Sequence, residues 1–169
     1  GEPLNDPGSI ILFRDHLTFL EQAMTPERKK MGLLNTAEQL KIKQQDFADT
    51  YDLTLHGETE HGGSEAICHS KILQDYAEPG HLIIGSDSHT PHSGAVGCVA
   101  FGVGTTAIFN SWITRDVYSL VPESVRVVVR GERPDGVTAK DMMLAILRTP
   151  YVADGHAIGK MVEYCGEAV

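Results

Sequence analysis

The strongest constraint on the fold is an alternation. Short apolar runs at 10–13, 52–56, 82–84, 125–129 and 158–164 read as strands, with 125–129 the clearest. Stretches with helical spacing lie between them. Residues 35–51 carry Ala37, Leu40, Phe47 and Ala48 roughly on one face, with Asn35 as a candidate cap. Thr25 before Pro26 reads as an N-cap with proline at the first helical position. Residues 64–77 hold Ile67, Ile72, Leu73 and Tyr76 and stop at Glu78-Pro79-Gly80. Residues 94–104 are rich in small side chains and suit a closely packed helix; 105–120 continue as a second one, ending before Pro122. Thr138, with Asp141 three residues on, sets up a capping box for a helix to about Leu147. Strands alternating with helices predict parallel pairing: an α/β fold, layered α/β/α, with a mainly parallel sheet.

The 169 residues can bury one core, or two small lobes. Fourteen basic against 23 acidic residues give a net charge of −9. No basic face exists to neutralise phosphates, so nucleic acid and anionic membranes are not expected partners. A small anionic ligand stays possible, because a cleft can be locally positive in an acidic protein. No apolar run approaches the ~18 residues of a membrane span. The first residues lack the basic and apolar regions of a signal peptide. Cys68, Cys98 and Cys165 are far apart and odd in number, which fits a reducing compartment better than a disulfide scaffold. The expected location is the cytoplasm, or the mitochondrial matrix in a eukaryote. No CxxC offers a metal or cluster cassette.

Polar chemistry concentrates in IIGSDSHTPHSGAVG, residues 83–97. In open α/β sheets, ligands bind beyond the carboxyl ends of strands. A helix starting near Ser93 or Gly94 would present free N–H groups to a carboxylate or phosphate. Ser88 and Thr90 add hydroxyls, and Asp87 can orient a histidine and stabilise its charged form. The same residue types also serve as ordinary caps and turns. The glycine spacing is not that of a dinucleotide site. Two further histidines stand beside strand or helix ends. His16 follows Asp15, but neighbours on a strand point to opposite faces, so the two interact only if the backbone turns there. His69 lies in SEAICH among apolar residues, where a plain core or surface histidine also fits. If strand ends converge, these groups form an acid/base cleft or, equally, a metal site, although no HExxH or HxH spacing supports the latter.

The stretch PGHLIIGSDSHTPHSGAVGCVAFGVGTT resembles the signature region of the aconitase superfamily. AICHSKILQDYAEPG resembles the family's helix with an active-site histidine, and RDHL its earlier Asp-His motif. RPDGVTAKDMMLAIL and MVEYCGEAV resemble the segments after the signature. The likeness spans roughly residues 10–169 and leans toward isopropylmalate dehydratase large subunits and homoaconitases. It implies a hydro-lyase that dehydrates and rehydrates a hydroxy di- or tricarboxylic acid, with one iron of a [4Fe–4S] cluster as Lewis acid. It further implies that Asp15 and His16 handle the hydroxyl proton. His69 and Asp87 would form a second pair near the bound water. Ser88 and Thr90 would meet the substrate, and His89 would line the same site.

The chain departs from the family pattern in three ways. Nothing corresponds to the cluster cysteines, a lone one and a CxxC; Cys68, Cys98 and Cys165 read as small buried thiols. The catalytic serine on a distant swivelling domain and the substrate-binding arginines also have no counterpart. Arg14, beside a motif, is expected to be solvated. Residues 1–169 are therefore expected to be one aconitase-like α/β domain, a fragment of a larger protein. Alone it should bind no cluster and turn over no substrate. Its implied partners are a small hydroxy-polycarboxylate and the remaining domains or a small subunit. Two other functions fit the same residues: a non-catalytic carboxylate-binding or regulatory module, and a metal-dependent hydrolase using His16, His69 and His89.

Overall fold

A computed structural model describes residues 2–169. The chain forms two compact units, Gly1–Val117 and Tyr118–Val169. In the first unit β1 (Ile11–Phe13) leads to the short helices α1 (Leu20–Ala23) and α2 (Pro26–Lys30), the long helix α3 (Leu33–Tyr51) and β2 (Thr54–His56). A loop then enters α4 (Cys68–Asp75), β3 (Leu82–Gly85), β4 (Val99–Gly102) and α5 (Thr105–Thr114). The second unit holds β5 (Ser124–Val129), α6 (Ala139–Leu147), α7 (Pro150–Ala153) and β6 (Met161–Gly166). No helix among the described residues is long and apolar enough to cross a membrane.

The strands pair in parallel, β1 with β2, β3 with β4 and β5 with β6, as three two-stranded sheets. The fold is thus mixed α/β with parallel pairing, as the alternation of apolar runs implies. Parallel partners need a crossover of about a dozen residues or more. Helices α1–α3 span the first crossover, and α6 with α7 the third.

Local signals explain most element ends. Thr25 Oγ1 accepts the Arg28 N–H at 3.5 Å at the start of α2. The capping box of α6 is complete: Thr138 Oγ1 accepts the Asp141 N–H at 3.3 Å, and Asp141 Oδ2 accepts the Thr138 N–H at 2.8 Å. Helix α3 begins earlier than the Asn35 cap suggests, directly after Gly32, whose φ of 78° only glycine adopts without strain. Helix α5 stops at Thr114 rather than near residue 120, because Arg115 turns left-handed at φ 63°.

The largest correction concerns residues 94–104. No single helix forms there. A 3-10 turn runs Thr90–Val96, Gly97 ends it at φ 84°, and Val99–Gly102 becomes β4. The small residues serve close approach rather than helix packing. A Cβ on Gly85 would strike Thr90 Oγ1, and one on Gly102 would lie 2.5 Å from the Asp87 carbonyl oxygen.

The core of the first unit is Ile10, Ala48 and Leu53, with Leu12, Phe47, Tyr51, Leu55 and Trp112 packed against it. Phe47 stacks on Trp112 with centroids 5.4 Å apart. This cluster fixes α3 against β1 and β2, and so holds the end of β1 where the first polar motif begins.

Candidate active site

The backbone does turn after β1. Residues Asp15–Leu17 form one 3-10 turn, so the two side chains meet: His16 Nδ1 lies 3.0 Å from Asp15 Oδ1. Arg14 anchors this turn. Its guanidinium donates to Gln44 Oε1 at 3.1 Å and to the Lys41 carbonyl at 3.1 Å, both on α3. It is a structural strut, not the solvated side chain the sequence suggests.

The other oxygen of Asp15 reaches a distant element. Asp15 Oδ2 accepts the Cys68 N–H at 3.0 Å, capping the first turn of α4. A carboxylate there meets free N–H groups and the positive end of the helix dipole. Burial opposes ionisation of Asp15, but the Cys68 amide and His16 outweigh it and hold the carboxyl below its usual range. His16 moves the other way: its bond to Asp15, then the charges of Asp15 and Asp87, raise it against a smaller burial penalty. Helix α4 begins at Cys68 rather than at residue 64 because Ser64 is spent in a local turn, its hydroxyl donating to the Ala66 carbonyl at 2.6 Å.

His69, in the first turn of α4, places Nε2 2.9 Å from Asp87 Oδ1. Asp87 follows β3 and is heavily used. Its Oδ1 also accepts the His89 N–H at 2.7 Å and lies 3.2 Å from His89 Nδ1. Its Oδ2 lies 3.7 Å from His16 Nε2. The His89 amide, then His89 and His69 side chains, keep this carboxyl below its usual range despite some burial. The His69 and His89 rings are 5.8 Å apart. Asp15, His16, His69, Asp87 and His89, from three remote stretches, thus form one connected cluster. His89 is 79% and His16 66% exposed at the side chain, so two imidazoles face solvent.

Ser88 and Thr90 differ. Ser88 Oγ lies 3.4 Å from His89 Nδ1, beside the cluster. Thr90 is buried and donates its hydroxyl to the Asp87 carbonyl at 2.7 Å. It closes the turn that aims Asp87 and offers no free hydroxyl to a ligand. The turn leads into a seven-residue 3-10 segment, not an α-helix starting at Ser93 or Gly94.

The residues can be tested for metals. Among the described residues, two groups bring three ligand atoms within 4.8 Å: Asp15, His16 and Cys68, and His69, Asp87 and His89. His16, His69 and His89 are not such a group; each of the two groups mixes histidine with a carboxylate. A [4Fe–4S] cluster needs several thiolates at one place. Cys68 groups with Asp15 and His16 rather than with Cys98, and the Cys98 thiol donates to the Glu78 carbonyl at 3.2 Å. Burial and the neighbouring Asp15 push the Cys68 thiol up to about 12, away from the thiolate a cluster requires. Within the first unit, neither Cys68 nor Cys98 presents a thiolate in the way cluster ligation requires.

One buried group carries no sequence signal. His56 ends β2 and bonds to both Glu65 and Tyr76. The alternation of Leu53 and Leu55 marks a strand, but nothing in LTLHG shows that its histidine turns inward.

The chain matches the model of the aconitase family (aconitate hydratase) over residues 8–169. It is similar to the 3-isopropylmalate dehydratase large subunit of Syntrophus aciditrophicus, 35% identical over 96% of this chain and 36% of the relative. It is also similar to the 3-isopropylmalate dehydratase large subunit 1 of Methanopyrus kandleri, 30% identical over 97% of this chain and 35% of the relative. The chain spans about a third of the length of these curated relatives. With the family model covering nearly every residue, including the whole histidine–carboxylate cluster, this chain belongs to the aconitase family.

Proposed function

We propose that residues 1–169 form one aconitase-like segment that supplies the proton-transfer groups of a hydro-lyase. Its substrate class is a hydroxy di- or tricarboxylic acid, of the isopropylmalate or citrate type. The observation that carries this reading is the joining of the Asp15–His16 and His69–Asp87 pairs through the 3.7 Å approach of His16 Nε2 to Asp87 Oδ2. Hydroxide leaves poorly unless a proton reaches it, and a positioned acid–base group speeds such a step by about 10²–10⁴-fold. His16, whose imidazolium form Asp15 favours, donates its proton to the departing hydroxyl, which leaves as water. In the reverse direction the same imidazole takes that proton back. His69 and Asp87 hold the released water. Ser88 and His89 face a substrate carboxylate, while Thr90 fixes the turn and does not touch substrate. The carbon-bound proton is removed by a group outside these residues.

The [4Fe–4S] cluster of the intact protein would supply Lewis acidity at the hydroxyl, and we assign its ligands to residues outside this chain. Relatives named as large subunits support a small-subunit partner. Three free cysteines support a reducing compartment, the cytoplasm or a mitochondrial matrix.

The test is turnover by the full-length protein, followed as the unsaturated product from 3-isopropylmalate, citrate, homocitrate and methylcitrate. One of these should be dehydrated, and Asp87→Asn should slow it by about 10²–10⁴-fold. No turnover of any of them overturns the reading.

A further inference from the structure

His56 is a histidine held on every side. It is 7% exposed. Its Nδ1 lies 2.7 Å from Glu65 Oε1, and its Nε2 lies 2.7 Å from the Tyr76 hydroxyl. The ring stacks on Phe13 with centroids 4.9 Å apart and planes at 20°, and meets Tyr76 edge-on at 5.9 Å. A buried imidazole with both nitrogens bonded in this way has few other orientations.

Each partner belongs to a part of the chain that delivers a site residue. Phe13 is the β1 residue in register with His56, and the His56 carbonyl accepts the Arg14 N–H at 3.1 Å. Asp15 and His16 follow at once. Glu65 closes the loop between β2 and α4: its Oε2 accepts the Gly57 N–H at 3.3 Å, and its own N–H donates to the Gly57 carbonyl at 3.0 Å. That loop delivers Cys68 and His69. Tyr76 is the C-terminal cap of α4, the helix that carries both. The imidazole therefore bridges the strand end holding the Asp15–His16 pair and both ends of the helix holding His69. The direct link between those parts is the bond from the Cys68 N–H to Asp15 Oδ2.

We propose that the Glu65–His56–Tyr76 chain is a positioning device that sets α4 against the end of β1, and so fixes His69 relative to the Asp15–His16 pair. Its effect on turnover rests on the hydro-lyase reading above; its effect on geometry does not. His56 touches no reacting atom, so its influence runs through the Cys68–Asp15 bond. Misplacement of reacting groups by about 1 Å can slow catalysis about 10²-fold.

Tyr76→Phe and Glu65→Gln in the full-length protein separate positioning from plain stability. Tyr76→Phe removes one hydroxyl and keeps the ring, so the fold is retained. Both variants should lower kcat by about 10–100-fold while KM stays within about twofold. A second readout needs no turnover: side-chain carboxyl NMR of labelled aspartate. Asp15 should titrate higher in each variant, as its carboxylate is released from the α4 amide that helps hold it low. A variant with a lower Tm but an unmoved Asp15 midpoint overturns the proposal. A wild-type protein without dehydratase activity, in which Tyr76→Phe still moves Asp15, overturns only the hydro-lyase reading.

Discussion

Asp87 carries the most connections of any residue in the site. One oxygen serves a backbone amide and two imidazoles, and the other faces His16. His89→Asn keeps a side chain able to reach Asp87 but removes an imidazole from the rim. In the full-length protein it should reduce turnover by about 10²–10⁴-fold, measured as kcat/KM on whichever hydroxy acid is dehydrated. The Asp15–His16 pair adds a pH signature to stability. Asp15 is lowered on folding, so its contribution is present above the unfolded value near ~3.9 and is lost as pH falls through the folded one. His16 is raised, so its contribution is full below the unfolded value near ~6.5 and is lost as pH rises through the folded one. The stability difference between wild type and His16→Asn should be largest between about pH 4 and 6.5 and fade on both sides. Urea unfolding across pH measures it, and salt should shrink it because His16 is exposed. Residue type made Asp15, His16 and Asp87 visible in the sequence as chemistry. It could not give direction: Thr90 and Ser88 carry the same hydroxyl, yet one is buried under a carbonyl and the other stands beside His89.

At the scale of elements, the decisive unit is β3, the turn after it, and β4. Periodicity made β3 legible, since three apolar residues end at a glycine and a polar run. It misread β4, because AVGCVAFGVG is as compatible with a packed helix as with a strand. What separates the two is contact with a remote partner: Val99 and Phe101 pair with Leu82 and Ile84. Such pairing leaves no mark in a window of ten residues. Gly102 shows why the small residues are there, as its missing side chain makes room for the Asp87 carbonyl. Gly102→Ala forces that carbonyl to move, and the carboxylate with it. Turnover by the full-length protein should fall about 10²-fold, with the variant still folded by circular dichroism. Unchanged turnover would mean the turn shifts without disturbing Asp87. The same logic applies to α4. Its apolar spacing was readable, but its true start depends on Asp15, 53 residues earlier in the chain. Caps supplied from afar cannot be read from the residues next to the helix.

At the scale of the whole molecule, the site and the cysteines tell different stories. The histidine and carboxylate groups of the proposed site converge within the Gly1–Val117 unit, where Cys68 groups with Asp15 and His16 rather than with Cys98. Burial, and after it the Asp15 carboxylate, disfavour the Cys68 thiolate, and the Cys98 thiol donates to a carbonyl. Cluster assembly requires the opposite: ionised thiols, close together, with electropositive surroundings. On the proposed reading, moving protons and holding the Lewis acid fall to different parts of the polypeptide. That separation has a direct consequence. Under anaerobic reconstitution with iron and sulfide, the 169-residue chain should acquire no visible cluster absorbance, while the full-length protein should acquire it. Cys68→Ala should leave uptake by the full-length protein unchanged, because this thiol is committed to the Asp15 side of the site. If the short chain takes up iron and sulfide in stoichiometric amounts, Cys68, Cys98 and Cys165 can be brought to one place after all, and the division of labour proposed for this chain is wrong.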